Sequence, residues 1–478
     1  MTQPSISRQF ARWTANLRYE DLPPEVVDKT KALMLHALTS AVFGSQIEAA
    51  RHTVALTLAE EGKADGATIL INGGKASRVG AAFANSELMH ASNLFDSYRM
   101  LTHPGPVLIP AALVNAELEQ RNGKDIITAL AAGYELSCRL CDAFIPSTAA
   151  RGFRPSPIYS TLAAGVVSAK LMGLDEGGIV SAIALAANFA SGLNEGPRTG
   201  GNEMSIHEPQ AARNGVFAGI MARTGHIKGS ELSIEGDAGF YNAFTGNHQG
   251  QLSYAFTGPM RVDLASITDG LGRQYKFLTA MFRMVACAGY NQPVINLMAE
   301  MKQRHAIDAN DVSDIAVHMN WIETLYPSPA FPRFEDWQQG RVGETKYFAA
   351  HVAVNGGYPV VGGRTFGPAG VELTEDQRVL AFMHQHVRLV PEKQRAMFSP
   401  AIVVTMRDGT THSGEYPYQR MEWNFDALVD QLQACLPGFP TGPSGFAALV
   451  ALTRGLDSLA TVEEIHSTMK RASDACAR

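Results

Sequence analysis

The stretch SNLFDSYRMLTHPGP, residues 92–106, holds the side chains best suited to moving protons: Asp96 stands seven positions before His103, and a proline and a glycine follow the histidine directly. A carboxylate near an imidazole fixes its tautomer and stabilises its charged form, and an unperturbed pKa of about 6.5 suits proton transfer at neutral pH. The alternative is structural. Asp96 would then be a helix N-cap and His103 a loop histidine bonded to backbone. Cys138 and Cys141 form a CxxC, but inside the helical run GYELSCRLCDAF, with no second CxxC and no paired histidines, they read as buried helix cysteines rather than zinc or redox ligands. The glycines of NGGK and GGR lack the strand-loop-helix setting of a phosphate loop, so no nucleotide site is expected.

The elements that must position these residues come from a chain of 478 residues, long enough for two domains with full cores. Its composition, 46% hydrophobic and 18% charged, is that of a soluble globular protein. With 40 Lys+Arg against 46 Asp+Glu the net charge is -6, which points away from nucleic acid and anionic membranes as partners. Five cysteines are too few and too odd in number for a disulfide framework, and they indicate reduced thiols in a cytoplasm. The N-terminal MTQPSISRQFARW lacks an apolar signal core, and no uncharged apolar run reaches spanning length, so neither export nor membrane insertion is expected.

The first half of the chain predicts helix after helix. LPPEVVDKTKALMLHALTSAVFGS begins with proline in its first turn, repeats Val26, Val27, Leu33, Leu38 and Val42 at helical spacing, and closes on Gly44. GKDIITALAAGYELSCRLCDAF, YSTLAAGVVSAKLMGL, DEGGIVSAIALAANFASGL and PQAARNGVFAGIMARTG are rich in Ala and Gly and apolar around much of their circumference, as expected of helices buried in a large α-domain. From about residue 260 the texture changes. DVSDIAVHMN, HVRLVPE and SPAIVVTMRDGTTHSGEY read as strands, the last as a hairpin about its Asp-Gly, with TKYFAAHVAVNGG as an intervening helix. Amphipathic helix returns in NFDALVDQLQACLPGF, GFAALVALTRGLDSL and TVEEIHSTMKRAS, which lack a core of their own and are expected to rejoin the first domain. The expected fold is mainly α: a helical domain over residues 1–262, an inserted α+β lid domain over 263–417, and helices of 418–478 that complete the first domain.

In order along the chain, DLPPEVVDKTKALMLHALTSAVFG, RVGAAFANSELMHASNLFDS, HPGPVLIPAALVNAE, GYELSCRL, GFRPSPIYSTLAAGVVSAKLMGL, ASGLNEG, HEPQAARNGVFAGIMARTG and IEGDAGFYNAF resemble the successive landmarks of the MmgE/PrpD family. That family includes 2-methylcitrate dehydratase, cis-aconitate decarboxylase and iminodisuccinate epimerase. The resemblance implies a homodimer and a cofactor-free, metal-free site in the cleft between the two domains.

It also implies the site residues. Asp96 matches the last aspartate of the family's acidic segment and His103 the histidine of its HPG motif, so His103 is the expected acid/base and Asp96 its orienting partner. Asn93 stands where the segment usually has its first aspartate, and Ser97 where threonine follows the second. Arg154, in GFRP, replaces a family histidine; a guanidinium cannot shuttle protons but can hold a carboxylate bidentately. Met204 falls where relatives carry lysine, and His207 is the nearest titratable replacement. In the second domain the register is open, so Lys276 and Arg283 both stand as candidates for anion binding, while Tyr347 is expected to pack.

The function this resemblance implies is that of a lyase, a dehydratase or a decarboxylase, acting on a small di- or tricarboxylic acid. Two other outcomes stay open: an isomerase or epimerase, favoured by the loss of the basic groups at Arg154 and Met204, and a scaffold that binds carboxylates without turning them over.

Overall fold

The computed structural model describes residues 4–333, 344–357, 359–360, 371–372, 375–433 and 438–476. The first long helix, Pro24–Gly44, opens on proline, whose missing N–H costs nothing in a first turn. Gly44 is the helix's last residue and not a left-handed cap, because the following Ser45 keeps right-handed geometry. What requires glycine there is a close approach: a β-carbon on Gly44 would lie 1.8 Å from the carbonyl oxygen of Leu88.

Helix Pro155–Leu171 is the centre of the helical body, with every residue buried except Lys170. Gly105–Leu118, Gly123–Cys141, Glu176–Phe189 and His207–Arg223 all pack on it. Small residues set the spacing. A β-carbon on Gly215 would fall 2.3 Å from the Cβ of Ala164, so the helix starting at His207 can lie this close only as glycine. Cys138 and Cys141 are buried in Gly123–Cys141, where the Cys141 thiol faces the Cys138 carbonyl at 3.5 Å.

The smaller α+β part is built on a four-stranded sheet in the order Thr411–Glu415, Ala401–Met406, Val312–Asn320, Val387–Glu392. Its first two strands are the antiparallel hairpin expected from the Asp-Gly pair, with Gly409 at φ 90° and the Asp408 carboxylate accepting from the Thr410 N–H at 2.8 Å. Val312–Asn320 and Val387–Glu392 run parallel, so the chain must cross over between them, and helices Thr345–Asn355 and Gln377–His386 lie in that crossover. The GGR motif at 362–364 lies outside the described residues.

Two features tie the parts together. Helices Phe425–Gln433, Gly442–Arg454 and Glu463–Cys476 return to pack on Pro24–Gly44, with the Phe425 N–H donating to Asp28 at 2.8 Å. A two-residue antiparallel ladder joins Asp96–Ser97 to Met281–Phe282. The segment leading into that ladder is held against the helical body by buried Arg139, which donates to the carbonyls of Ile267, Asp269 and Gln274 at 2.7–2.8 Å. The fold is mainly α with a smaller α+β part. No helix among the described residues is long and apolar enough to cross a membrane.

Candidate active site

The ladder delivers its neighbours to a cavity of about 780 Å³, lined by the 93–103 loop, by Arg154, by residues 283–290 and by the α+β part. The loop is conformationally costly. Asn93, Arg99 and Leu101 all hold positive φ, at 58°, 53° and 66°, and such backbone persists only where its surroundings fix it.

His103 is buried in the cavity wall. Its Nδ1 lies 3.0 Å from the Ser97 hydroxyl and 3.2 Å from the Asp96 backbone carbonyl, and its Nε2 lies 3.2 Å from the Arg283 guanidinium. A carbonyl only accepts and a guanidinium only donates, so these partners place the ring proton on Nδ1 and leave the Nε2 lone pair toward Arg283. Burial and then the charges of Arg283 and Arg154 push the imidazole pKa well below its ordinary value. In this geometry His103 is a neutral acceptor.

Of the two candidates that the sequence left open, Arg283 lines the cavity. Its Nε donates to Ser97 at 3.1 Å, and its guanidinium lies 4.4 Å over the Phe95 ring. Its backbone carbonyl accepts from His36 at 3.0 Å. Burial lowers its pKa, but only to about 10, so it stays charged at neutral pH. Phe95 also packs against His103, with ring centres 4.7 Å apart, and is stacked on His90 at 4.9 Å. Lys276 is elsewhere: its ammonium pairs with Asp142, which also takes Arg99, and it does not line the cavity. Tyr347 is fully buried and likewise does not line the cavity.

Asp96 does not orient the His103 ring through its carboxylate. That group turns away from the cavity to accept from the Gly105 N–H at 2.9 Å and the Tyr134 hydroxyl at 3.1 Å. It caps the first turn of helix Gly105–Leu118, where the helix dipole favours negative charge. A β-carbon on Gly105 would meet this carboxylate at 2.3 Å, which explains the glycine after the proline. Burial still outweighs these bonds and raises the Asp96 pKa from 3.8 to about 6. A raised folded-state pKa means stability that is present below about pH 4 and is lost as pH rises through about 6. Asp96→Asn keeps an acceptor for Gly105 and removes the buried charge. Its melting temperature at pH 7 should therefore equal or exceed the wild type's, and the wild type's extra stability near pH 4 should disappear, as melting curves from pH 4 to 7 would show.

His207 begins helix His207–Arg223 but stays outside the cavity lining, whereas Met204 is in it. Asn93 is exposed and lines the cavity, and Ser97 sits buried between His103 and Arg283. Arg154 lines the cavity too, yet its NH1 is already paired with Glu208 at 2.5 Å. The other Glu208 oxygen lies 3.2 Å from His90 Nε2, close enough for an ion pair but without hydrogen-bond alignment. Burial alone would raise the Glu208 pKa, but Arg154 and His90 outweigh it and hold the carboxyl down at about 2. Burial, with Glu208 adding to it, pushes neighbouring Glu87 up to about 8, and burial keeps His90 neutral at about 4.

Glu208, Phe95, His90 and Glu323 were not singled out in the sequence. Glu208 left one signal there: an acid amid the small residues of HEPQAARNGVFAG, on a face that must be buried. From the α+β part, Arg333, Lys346 and Arg388 join Arg99, Arg154 and Arg283 around the cavity, against the acids Glu323 and Glu344.

The chain is 25% identical over 308 residues to cis-aconitate decarboxylase of Aspergillus terreus (strain NIH 2624 / FGSC A1156), covering 63% of this chain and 61% of that protein. It is 24% identical over 313 residues to the cis-aconitate decarboxylase-like protein oryM of Aspergillus oryzae, covering 63% and 62%. With human cis-aconitate decarboxylase the identity is 25% over 258 residues, 52% of each chain. The matched region thus spans about six-tenths of the fungal relatives and about half of the human one. The description of the MmgE/PrpD N-terminal domain matches residues 8–253, more than half of the 478, and so the chain belongs to the MmgE/PrpD family.

Proposed function

We propose that this protein is a lyase that removes CO2 from a small unsaturated tricarboxylic acid, with cis-aconitate the first candidate. The observation that carries the proposal is the buried His103–Ser97–Arg283 constellation, set in a cavity whose lining holds six cationic side chains. The activity named for the similar fungal and mammalian proteins supports it. In decarboxylation of such an acid the bond to the departing carboxylate breaks and its electron pair becomes a new carbon–carbon double bond. The old π pair moves to the far carbon, which takes up one proton. Arg283 and Arg154 would hold the carboxylates that remain, and His103, by accepting from Arg283, aims that guanidinium. A cytoplasmic homodimer is part of the same proposal, and light scattering on the purified chain checks the oligomeric state.

Met204 favours a second possibility, an isomerase or epimerase. It puts a thioether in the cavity where relatives have a lysine, so one basic group of the usual lyase site is gone. Incubation with citrate, 2-methylcitrate, cis-aconitate and iminodisuccinate in deuterium oxide, followed by proton NMR, separates the cases. The expected result is consumption of cis-aconitate with CO2 release and one deuterium in the new methylene. Exchange or inversion without loss of carbon would replace lyase with isomerase, and no change in any acid would leave a binding protein.

A further inference from the structure

Decarboxylation consumes one proton, and His103 is poorly placed to give it. Its Nε2 is unprotonated and faces a guanidinium, and both nearby arginines oppose its charging. Arg154 is paired with Glu208, Met204 carries no transferable proton, and the Asp96 carboxylate points away from the cavity. A further titratable group in the cavity lining is Glu323, in the short helical turn Glu323–Leu325 that follows strand Val312–Asn320.

Glu323 is 2% exposed, and its Oε1 accepts from the Phe398 N–H at 2.7 Å. Phe398 holds positive φ, at 54°, so this contact belongs to a fixed corner of the α+β part. The Phe398 ring reaches from this corner toward Ser97. The tip of the Phe398 ring and the Ser97 hydroxyl that touches His103 both lie against Gly289, 3.6 and 3.5 Å from where a β-carbon would sit. No ion pair is formed by Glu323 among the described residues.

Resting on the lyase proposal above, we infer that Glu323 is the catalytic proton donor: its carboxyl protonates the carbon that receives the π pair as CO2 leaves. The carboxyl O–H bond breaks, a C–H bond forms at the far carbon, and Glu323 is left as a carboxylate that regains its proton from water after product leaves. Burial raises the Glu323 pKa to about 8, so the donor form is the resting form at neutral pH. This divides the work across the cavity, with anion binding at Arg283 and Arg154 and proton delivery from the α+β part.

The test is Glu323→Gln, which keeps an acceptor for the Phe398 N–H but carries no transferable proton. Three results are expected: a melting temperature within a few degrees of wild type, kcat for cis-aconitate lower by roughly a hundredfold or more with KM changed only a few fold, and loss of the wild-type decline in kcat above about pH 8. A purely structural role would not move that limb. Infrared difference spectra between wild type and Glu323→Gln at pH 7 should show the carbonyl stretch of one protonated carboxylic acid, and this measurement needs no turnover. Turnover of Glu323→Gln within a few fold of wild type would overturn the assignment and leave the lyase proposal standing, and so would absence of the infrared band. A wild type that consumes none of the acids would defeat the lyase proposal, while the infrared band still decides whether this carboxyl holds a proton. Should Glu323→Gln fail to fold, Glu323→Asp, which retains a carboxyl on a shorter arm, is expected to fold and to show the same high-pH limb at reduced kcat; wild-type kcat in it would equally overturn the assignment.

Discussion

Arg283→Gln is expected to lower kcat/KM for cis-aconitate by about 100- to 1000-fold, the usual range for removing one preorganised charge-stabilising donor. Two contacts are lost, the donor at 3.2 Å that fixes His103 Nε2 and the bond to Ser97 at 3.1 Å, together with the charge proposed to meet a substrate carboxylate. Because burial and then Arg283 depress the His103 pKa, the substitution should also raise that pKa toward its ordinary value, which NMR titration of the ring protons would detect. His103→Ala should cost about as much, since it frees the guanidinium to swing. The double variant should then be little worse than either single one, because the two side chains act as a unit. Full additivity in the steady-state kinetics would show that His103 acts independently of Arg283.

Glu208→Ala is expected to reduce folding stability by about 3–5 kcal/mol, the cost of leaving one member of a buried ion pair without its partner. Arg154 and Glu208 are both nearly inaccessible to solvent, at 4% and 0% side-chain exposure, so water cannot take the place of the lost carboxylate. The variant should regain more of its lost melting temperature on addition of a non-reacting tricarboxylate than wild type gains, because a ligand carboxylate can then occupy the vacated side of Arg154. Calorimetric melting with and without propane-1,2,3-tricarboxylate measures both effects. Equal ligand-induced shifts in the two proteins would mean that Arg154 does not meet the ligand.

The features that were legible in the sequence are those with local causes. Pro24 in a first turn, the Asp408-Gly409 corner and the Ala- and Gly-rich helical faces act within a few residues of themselves, and each produced the element expected of it. The site is less local. Asp96 and His103 are near in sequence, but whether the carboxylate or the backbone carbonyl of residue 96 meets the imidazole depends on Tyr134, 38 residues away, and on the Gly105 N–H. Lys276 and Arg283 could not be told apart because both are basic and either register was compatible with the family pattern. Asp142 captures one, and the Ser97 hydroxyl and His103 ring take the other. Glu208 and Glu323 stayed hidden because their surroundings come from distant segments: Arg154 and His90 for one, Phe398 for the other.

The ladder between Asp96–Ser97 and Met281–Phe282 bears on when the cavity wall can first form. Ser97 and Arg283 are 186 positions apart, so a nascent chain emerging from the ribosome can complete most of its helical body well before it can assemble the pair. Until that short seam closes, the bond between Ser97 and Arg283 does not exist. Slippage of the seam by a single residue would turn the guanidinium to the opposite face and leave a folded chain without that pair.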